Sequence, residues 1–335
     1  MAKIAVLGAG SWGVGVSVLL HSNQHKISLW EFNSQDMLSL RKQREHKSKL
    51  PGIILPEEIE ITDQLDKAID SAELLVLALP SHTVREVAKK LAQISLNKPL
   101  IVNLSKGIEN DTLCRMSEVL IQELPENLHN KIVTLSGPCH AEEVARKMPT
   151  SVVVAGLNEV IAREVQKIFM NRYFRVYTSD DLIGVELGGS LKNVIAIAAG
   201  ICDGLNLGDN AKGALLTRGL AEMVRLGEKL GAKALTFAGL SGMGDLITTC
   251  FSQYSRNRYV GEQIGKGKTL KEILEGMVMV AEGVKTAKSS YELSLKHKVE
   301  MPISQQVYRV LFENIDPQKA LIELMTREPK SEIWS

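Results

Sequence analysis

Apolar residues recur along this chain in two rhythms, and the change from one to the other divides it. In the first half, short β-rich runs lie at Lys3–Leu7, Lys26–Trp30, Leu74–Leu79, Leu100–Leu104 and Ile132–Leu135. Between them apolar positions take helical spacing: at Val14–Leu20, in a helix within residues 34–72 that leads into an irregular connection through Pro51 and Pro56, at Val84–Ile94 and at Thr112–Leu124. Strands alternating with helices predict a parallel, doubly wound sheet. Two more β-rich runs, Ser151–Ala155 and Phe174–Tyr177, bracket a helix over Glu159–Met170 and finish the sheet. Thr178-Ser-Asp-Asp181 then reads as a helix start, with a polar cap and acids in the first turn. Beyond it no convincing strand occurs, and residues 180–330 read as helices parted by glycine, proline or polar breaks. The expected fold is α/β: a doubly wound sheet domain over residues 1–179 and an all-α domain over 180–335. A chain of 335 residues is long enough for two cores.

The longest mostly apolar stretch, Val185–Leu205, opens the second domain and carries one lysine. In a helix, Lys192 shares its face with Val185, Gly188, Gly189, Ile195, Ala196 and Ala199, none of them charged. Burial without a fixed anion lowers an ammonium pKa. A lysine needs that shift to exchange protons near neutrality, since a free one titrates near about 10.4. A lysine snorkelling from a core helix is the plain alternative. Two mid-helix glycines, Gly188 and Gly189, cost roughly 1 kcal/mol each against alanine, and close approach by a ligand or another backbone would explain them.

Composition narrows the classes. The net charge of +1 gives no drive toward nucleic acid or an anionic membrane. The basic run Arg41, Lys42, Arg44, Lys47, Lys49 is mixed with polar residues and reads as a solvated face or loop. Cysteines 114, 139, 202 and 250 form no CxxC, which fits free thiols in a reducing compartment and no metal site. The first residues read as a strand with no basic and apolar leader pattern, so no secretory signal is expected. Glu186, Lys192, Asn193 and Asp203 interrupt the apolar stretch too often for a bilayer span. A cytoplasmic protein without membrane insertion is expected.

Candidate chemistry falls at the ends of the expected strands. Gly8-Ala-Gly10-Ser-Trp-Gly13 follows the first strand and opens a helix. In that context GxGxxG permits a tight turn and close approach of a pyrophosphate to the helix N-terminus. Glu31 ends the second strand, where an acid reads the ribose hydroxyls of a dinucleotide, and Phe32 follows it. Neither offers a cation to a 2′-phosphate, so NAD(H) is expected over NADP(H). Ser81, Lys106 and Gly137 also lie at strand ends, and Lys106 is a cation facing the crevice among small residues. His82 and His140 nearby read equally well as ordinary loop histidines. In the helical half, Asp245 follows a glycine-rich turn and could orient a substrate hydroxyl, orient the lysine ammonium, or only cap a helix. Ser255-Arg256-Asn257 opens an apolar-periodic helix, a suitable phosphate site because arginine forks and a helix start supplies N–H groups. Glu282 sits in a turn where it could bond a cofactor ribose or amide. The methionines of 301–325 read as packing.

Together the segments GAGSWG, LPSH, SKGIE, SGPCHAEE, FRVYTSDDLIGVELGGSLKNVIAIAAGICDG, NAKGALLTRGLAEM, GLSGMGDLITTC, SRNR and VAEG resemble the bacterial NAD(P)-dependent glycerol-3-phosphate dehydrogenases over essentially the whole chain. The resemblance implies a Rossmann-type domain followed by a helical one. It implies reversible reduction of dihydroxyacetone phosphate, a small-molecule phosphate, to sn-glycerol 3-phosphate for glycerophospholipid synthesis. By position it makes Lys192 the proton donor and acceptor. It sets Ser11 and Trp12 on the dinucleotide with the glycine turn, and Lys106 on both cofactor and substrate. Gly137, Cys139 and Ala141 would line the nicotinamide side. Asp245, Ser255, Arg256 and Asn257 would hold the glycerol phosphate, with Asn193 and Thr249 around it. Arg256, Val280 and Glu282 would also touch the cofactor. A homodimer is common in the family. Three positions depart from it: Val14-Gly15 replaces the frequent Thr-Ala, Cys139 stands where serine or threonine is usual, and Phe32 stands where many members carry arginine or histidine. A two-domain dehydrogenase acting on a hydroxy acid or sugar acid is the nearest alternative reading, and a silent dinucleotide sensor a more distant one.

Overall fold

The computed structural model describes residues 1–332. Its first part is an eight-stranded sheet: β1 (Lys3–Leu7), β2 (Lys26–Trp30), β3 (Glu60–Thr62), β4 (Leu74–Leu77), β5 (Leu100–Asn103), β6 (Ile132–Ser136), β7 (Thr150–Gly156) and β8 (Phe174–Ser179). They lie in the order β3-β2-β1-β4-β5-β6-β7-β8. Helices α1 (Ser11–Ser22), α2 (Ser34–Gln43), α3 (Leu65–Ile69), α4 (Val84–Ala92), α5 (Met116–Glu123), α6 (Ala141–Ala145) and α7 (Glu159–Phe169) connect the strands. Central strands β1, β4 and β5 are buried along almost their whole length, as a sheet covered on both faces requires. One core packs Leu19, Leu20 and Phe169 against one face. The other packs Val87, Leu91 and Leu120 against the opposite face.

Three expectations need correction. The connection through Pro51 and Pro56 is not wholly irregular, because it ends in the edge strand β3 and the short α3. The helix expected from Thr112 begins only at Met116, since Leu113 takes φ +61° and the Glu118 carboxylate reaches back to accept from the Arg115 amide at 2.8 Å. The sheet is not parallel throughout: β7 runs antiparallel to β6, Val133 facing Gly156 and Ser136 facing Val153. The only helix between those strands is the five-residue α6. At about 1.5 Å per residue it cannot carry the chain back along a strand that rises about 3.3 Å per residue, so the chain turns back instead of crossing over.

The rest of the described chain is helical: α8 (Leu182–Gly204), α9 (Gly208–Lys229), α10 (Ala234–Phe237), α11 (Asp245–Phe251), α12 (Arg256–Gly265), α13 (Leu270–Glu275), α14 (Glu282–His297), α15 (Pro302–Phe312) and α16 (Pro317–Met325). Asp181 caps α8, its Oδ1 accepting from the Gly184 amide at 2.8 Å. By length and composition α8 could cross a membrane, but 94% of its apolar window is buried within the protein. The burial follows from its glycines. A Cβ at Gly200 would lie 2.0 Å from the Arg258 carbonyl oxygen, and one at Gly261 would lie 1.9 Å from that of Ile197. Helices α8 and α12 thus touch backbone to backbone.

Candidate active site

The carboxyl ends of β1, β4, β5 and β6 open on one edge, and the first half of α8 lies against it. From the β5 side comes Lys106, and from α8 comes Lys192. Asp245, the first residue of α11, stands between them. Its Oδ1 accepts from Lys192 Nζ and its Oδ2 from Lys106 Nζ, both at 2.7 Å. The side chains of Lys192 and Asp245 are only 7% and 3% exposed. Thr249, one turn along α11, accepts from Lys192 Nζ at 2.5 Å. Lys106 also donates to the Gly137 carbonyl at 2.9 Å and lies 3.7 Å from Cys139 Sγ. The glycines beside Lys192 are explained by neighbouring protein: a Cβ at Gly188 would sit 2.7 Å from the Ser241 carbonyl oxygen, and one at Gly189 would sit 2.5 Å from Ser136 Oγ and 3.5 Å from the Lys106 stem.

The electrostatics differ from the expectation of a lysine without a fixed anion, because Asp245 supplies one. Burial is still the largest influence on Lys192 and, with Lys106 as a second cation, holds its pKa below the ordinary value despite Asp245. Lys106 is partly buried, and Asp245 and Cys139 beside it outweigh the effect of burial and raise its pKa. Burial alone would raise Asp245, and the two ammonium groups reverse the sign and lower it. Burial raises the Cys139 thiol even with Lys106 beside it. The cluster therefore sets one carboxylate between two lysines whose pKa values are pushed in opposite directions, Lys106 up and Lys192 down.

The glycine turn has the shape a pyrophosphate requires. Gly8 takes φ +104°, and a Cβ there would lie 2.6 Å from the Ala78 carbonyl oxygen. A Cβ at Gly13 would lie 1.8 Å from the Gly8 carbonyl oxygen, whereas one at Gly10 would meet nothing within 4 Å. The turn is thus tight on its protein side and open on its outer side. Gly10 caps α1 without a side chain, and no acid occupies the first turn, so that helix end favours an anion. These residues fit a dinucleotide. Trp12 packs against the sheet core, and Ala141 lies against Gly15 of α1, where a Cβ would come within 3.3 Å of the Ala141 carbonyl oxygen.

Around the cleft the other expected residues fall into three groups. Asn193 and Asn257 bond each other at 2.9 Å, and Asn257 Oδ1 accepts from the Gly283 amide at 2.9 Å, tying α8, α12 and α14 together. Ser255 caps α12, its Oγ accepting from the Arg258 amide at 3.2 Å, and Arg256 holds the Val280 carbonyl at 2.8 Å. Glu282 accepts from the Ser81 amide at 3.0 Å and the Ser81 hydroxyl at 2.5 Å, joining α14 to the loop after β4.

Glu31 and Phe32 stand apart from these groups at the end of β2. Glu31 is buried and accepts from the Asn33 amide at 3.1 Å, while Phe32 is 74% exposed. Lys49 Nζ lies 3.9 Å from Glu31, so a cation does reach this place. The basic run is accordingly not a wholly solvated face. Arg44, at φ +56°, is buried and donates to the carbonyls of Leu55, Pro56 and Ile59, which shapes the loop that carries Lys49. Other partners missed from the sequence are Met279, whose Sδ accepts from Ser11 Oγ at 3.1 Å, and Glu186, the acid of the apolar stretch. A large groove, about 1640 Å³ between α8, α9, α15 and α16, lies away from both lysines and is lined by residues such as Leu215 and Val307. Among the described residues no three His, Cys, Asp or Glu side chains gather as a metal site.

Comparison with known proteins agrees over both halves. Residues 3–162 match the sequence profile of the NAD-dependent glycerol-3-phosphate dehydrogenase N-terminus, and residues 181–322 match that of its C-terminus. The chain is 49% identical over 335 residues to the glycerol-3-phosphate dehydrogenase [NAD(P)+] of Fusobacterium nucleatum, covering 100% of both. It is 51% identical over 331 residues to that of Thermoanaerobacter sp., covering 99% of each. The crystal structure of glycerol-3-phosphate dehydrogenase from Coxiella burnetii superposes with a TM-score of 0.93 at 37% identity, over 97% of this chain and 99% of that one.

Proposed function

The chain belongs to the NAD-dependent glycerol-3-phosphate dehydrogenase family, whose members reduce dihydroxyacetone phosphate to glycerol 3-phosphate with NAD(P)H, and within that reaction we propose that Lys192 is the proton donor and acceptor. The observation that carries this reading is the buried Lys192–Asp245–Lys106 cluster, one carboxylate between two lysines at 2.7 Å each. When bound, NAD(P)H supplies the hydride, and the glycine turn of Gly8, Gly10 and Gly13 with Ser11 and Trp12 would hold it. Lys192 gives its proton to the substrate oxygen as the ketone becomes an alcohol, and in the reverse direction the neutral amine takes the hydroxyl proton. Asp245 and Thr249 fix the direction of its Nζ. Lys106 keeps its charge and stabilises the developing oxyanion. Arg256, with the start of α12 at Ser255 and Asn257, clamps the substrate phosphate. That handle lies away from the reacting carbon, so its binding serves orientation.

In this reading residues 1–179 serve the dinucleotide and residues 180–335 supply most of the substrate site. NADH is the preferred cofactor in this reading, because Glu31 at the end of β2 is an acid suited to ribose hydroxyls and would repel a 2′-phosphate. Lys49 offsets part of that charge, so the preference is modest. The test of the central assignment is Lys192→Ala. Turnover should fall by about 10²–10⁴, the usual contribution of a general acid–base, while NADH binding measured by fluorescence stays unchanged. Near-normal turnover would remove Lys192 from the chemistry.

A further inference from the structure

His140 takes no part in the proton chain described above, yet its ring stands beside it. Its Nε2 is buried and has no hydrogen-bond partner, whereas buried polar side-chain atoms are ordinarily paired. What would pair it follows from its neighbours. On one side His140 follows Cys139, whose Sγ is 3.7 Å from Lys106 Nζ. On the other its ring meets that of Tyr254, with centroids 6.0 Å apart and planes at 56°. Tyr254 directly precedes Ser255 and Arg256 at the start of α12. The imidazole therefore reaches from the loop after β6 toward the end of the cleft where α12 begins.

Its charge state is also set by the surroundings. Burial is the main cause that lowers its pKa, to about 4; Lys192, Lys106 and Arg256 add to it, and Asp245 alone opposes them. The ring is thus neutral at physiological pH, with a nitrogen able to donate without bringing another cation into the site. Three cations against one carboxylate leave the position net positive, which favours an anionic acceptor. In the mechanism proposed above the substrate ketone oxygen takes the donors Lys192 and Lys106, which leaves the phosphate end for His140.

We propose that His140 is a substrate-binding residue whose Nε2–H donates to the phosphate group of dihydroxyacetone phosphate and glycerol 3-phosphate, beside Arg256. The assignment rests on the phosphate clamp proposed above. It adds an uncharged donor, supplied from the sheet domain, to a site otherwise built on the helical one.

The test compares His140→Phe, which keeps an aromatic ring against Tyr254, with His140→Gln, which restores an amide N–H. His140→Leu also lacks the donor and replaces the Phe variant if that one folds poorly. Kinetic constants are measured on the full chain for dihydroxyacetone phosphate, phosphate-free dihydroxyacetone and NADH. A lost hydrogen bond to a charged group should raise KM for dihydroxyacetone phosphate roughly ten- to hundredfold. kcat should stay within about threefold, since the interaction is made in ground and transition state alike. The Gln variant should recover part of the loss, and kcat/KM for dihydroxyacetone should not change.

An unchanged KM in the Phe variant, an equal loss with dihydroxyacetone, or a rise confined to NADH would each overturn the assignment. Arg256→Ala is run in parallel. If it raises KM while His140→Phe does not, only the histidine assignment falls; if neither does, the clamp falls with it.

Discussion

One carboxylate serving two ammonium groups gives Asp245 control of where the protons sit. In the role proposed for Lys192, oxidation of glycerol 3-phosphate needs its amine neutral, so kcat/KM should rise with pH up to the Lys192 pKa and then level. Reduction of dihydroxyacetone phosphate needs the ammonium and should fall above the same point. Burial and Lys106 lower that pKa, while Asp245 holds it up. Replacing Asp245 with Asn removes the opposing charge and should move both inflections to lower pH, alongside a large loss of rate. An inflection that stays in place in Asp245→Asn would assign the titration to another group. The same reasoning applies at Glu31, where Lys49 stands 3.9 Å away. Lys49→Ala should increase the NADH over NADPH ratio of kcat/KM several-fold, as a single partly screened charge would. An unchanged ratio would place Lys49 outside the cofactor site. Lys192, Lys106 and Asp245 were legible because each is a charge set among glycines or at a strand end. Lys49 was not, because only the fold of the loop pinned by Arg44 brings it back to β2.

Between elements the decisive contacts are made by glycines. At Gly261 an added Cβ would overlap the Ile197 carbonyl oxygen at 1.9 Å, and backbone cannot rotate away as a side chain can. Gly261→Ala should therefore destabilise the protein by about 1–3 kcal/mol or more. Gly213, exposed in the interior of α9, would meet nothing within 4 Å. There the same change should stabilise by about 0.5–1 kcal/mol through helix propensity alone. Urea denaturation of the two variants checks the pair, and equal effects would mean that the α8–α12 crossing yields easily. This contrast also marks the limit of pattern reading. Long elements such as α8 and the strands β1, β2 and β5 were visible in periodicity, because burial imposes it. Three-residue β3 was hidden, being too short to show alternation. The antiparallel turn into β7 was hidden as well, because strand direction depends on how far the connection reaches and not on the strand's own residues.

At the scale of the molecule, the Lys106–Asp245–Lys192 cluster is itself a seam: Lys106 belongs to the sheet domain, and Asp245 and Lys192 to the helical one. Its geometry survives only while the two domains hold their relative position, and a second polar seam, about two turns toward the start of α8 from Lys192, holds them as well. Glu186 of α8, 4% exposed, accepts from Arg115 Nη1 at 2.6 Å, from the Ser117 amide at 2.8 Å and hydroxyl at 2.6 Å, and from Thr134 at 3.2 Å. One helical-domain carboxylate thus satisfies four donors of the sheet domain. Glu186→Gln keeps the shape but loses the charge and turns one acceptor into a donor facing donors. Breaking a buried ion pair in this way costs about 3–5 kcal/mol. The expected outcome is a clear fall in thermal stability and a reduced kcat, with the dissociation constant for NADH changed less than kcat, because the glycine turn that would hold its pyrophosphate lies in the sheet domain while only Arg256, Val280 and Glu282 would reach it from the helical one. Calorimetry, steady-state rates and fluorescence titration separate the three. A kcat equal to that of the wild type, in a variant measurably destabilised, would mean that Lys106 and Asp245 hold the two domains together by themselves.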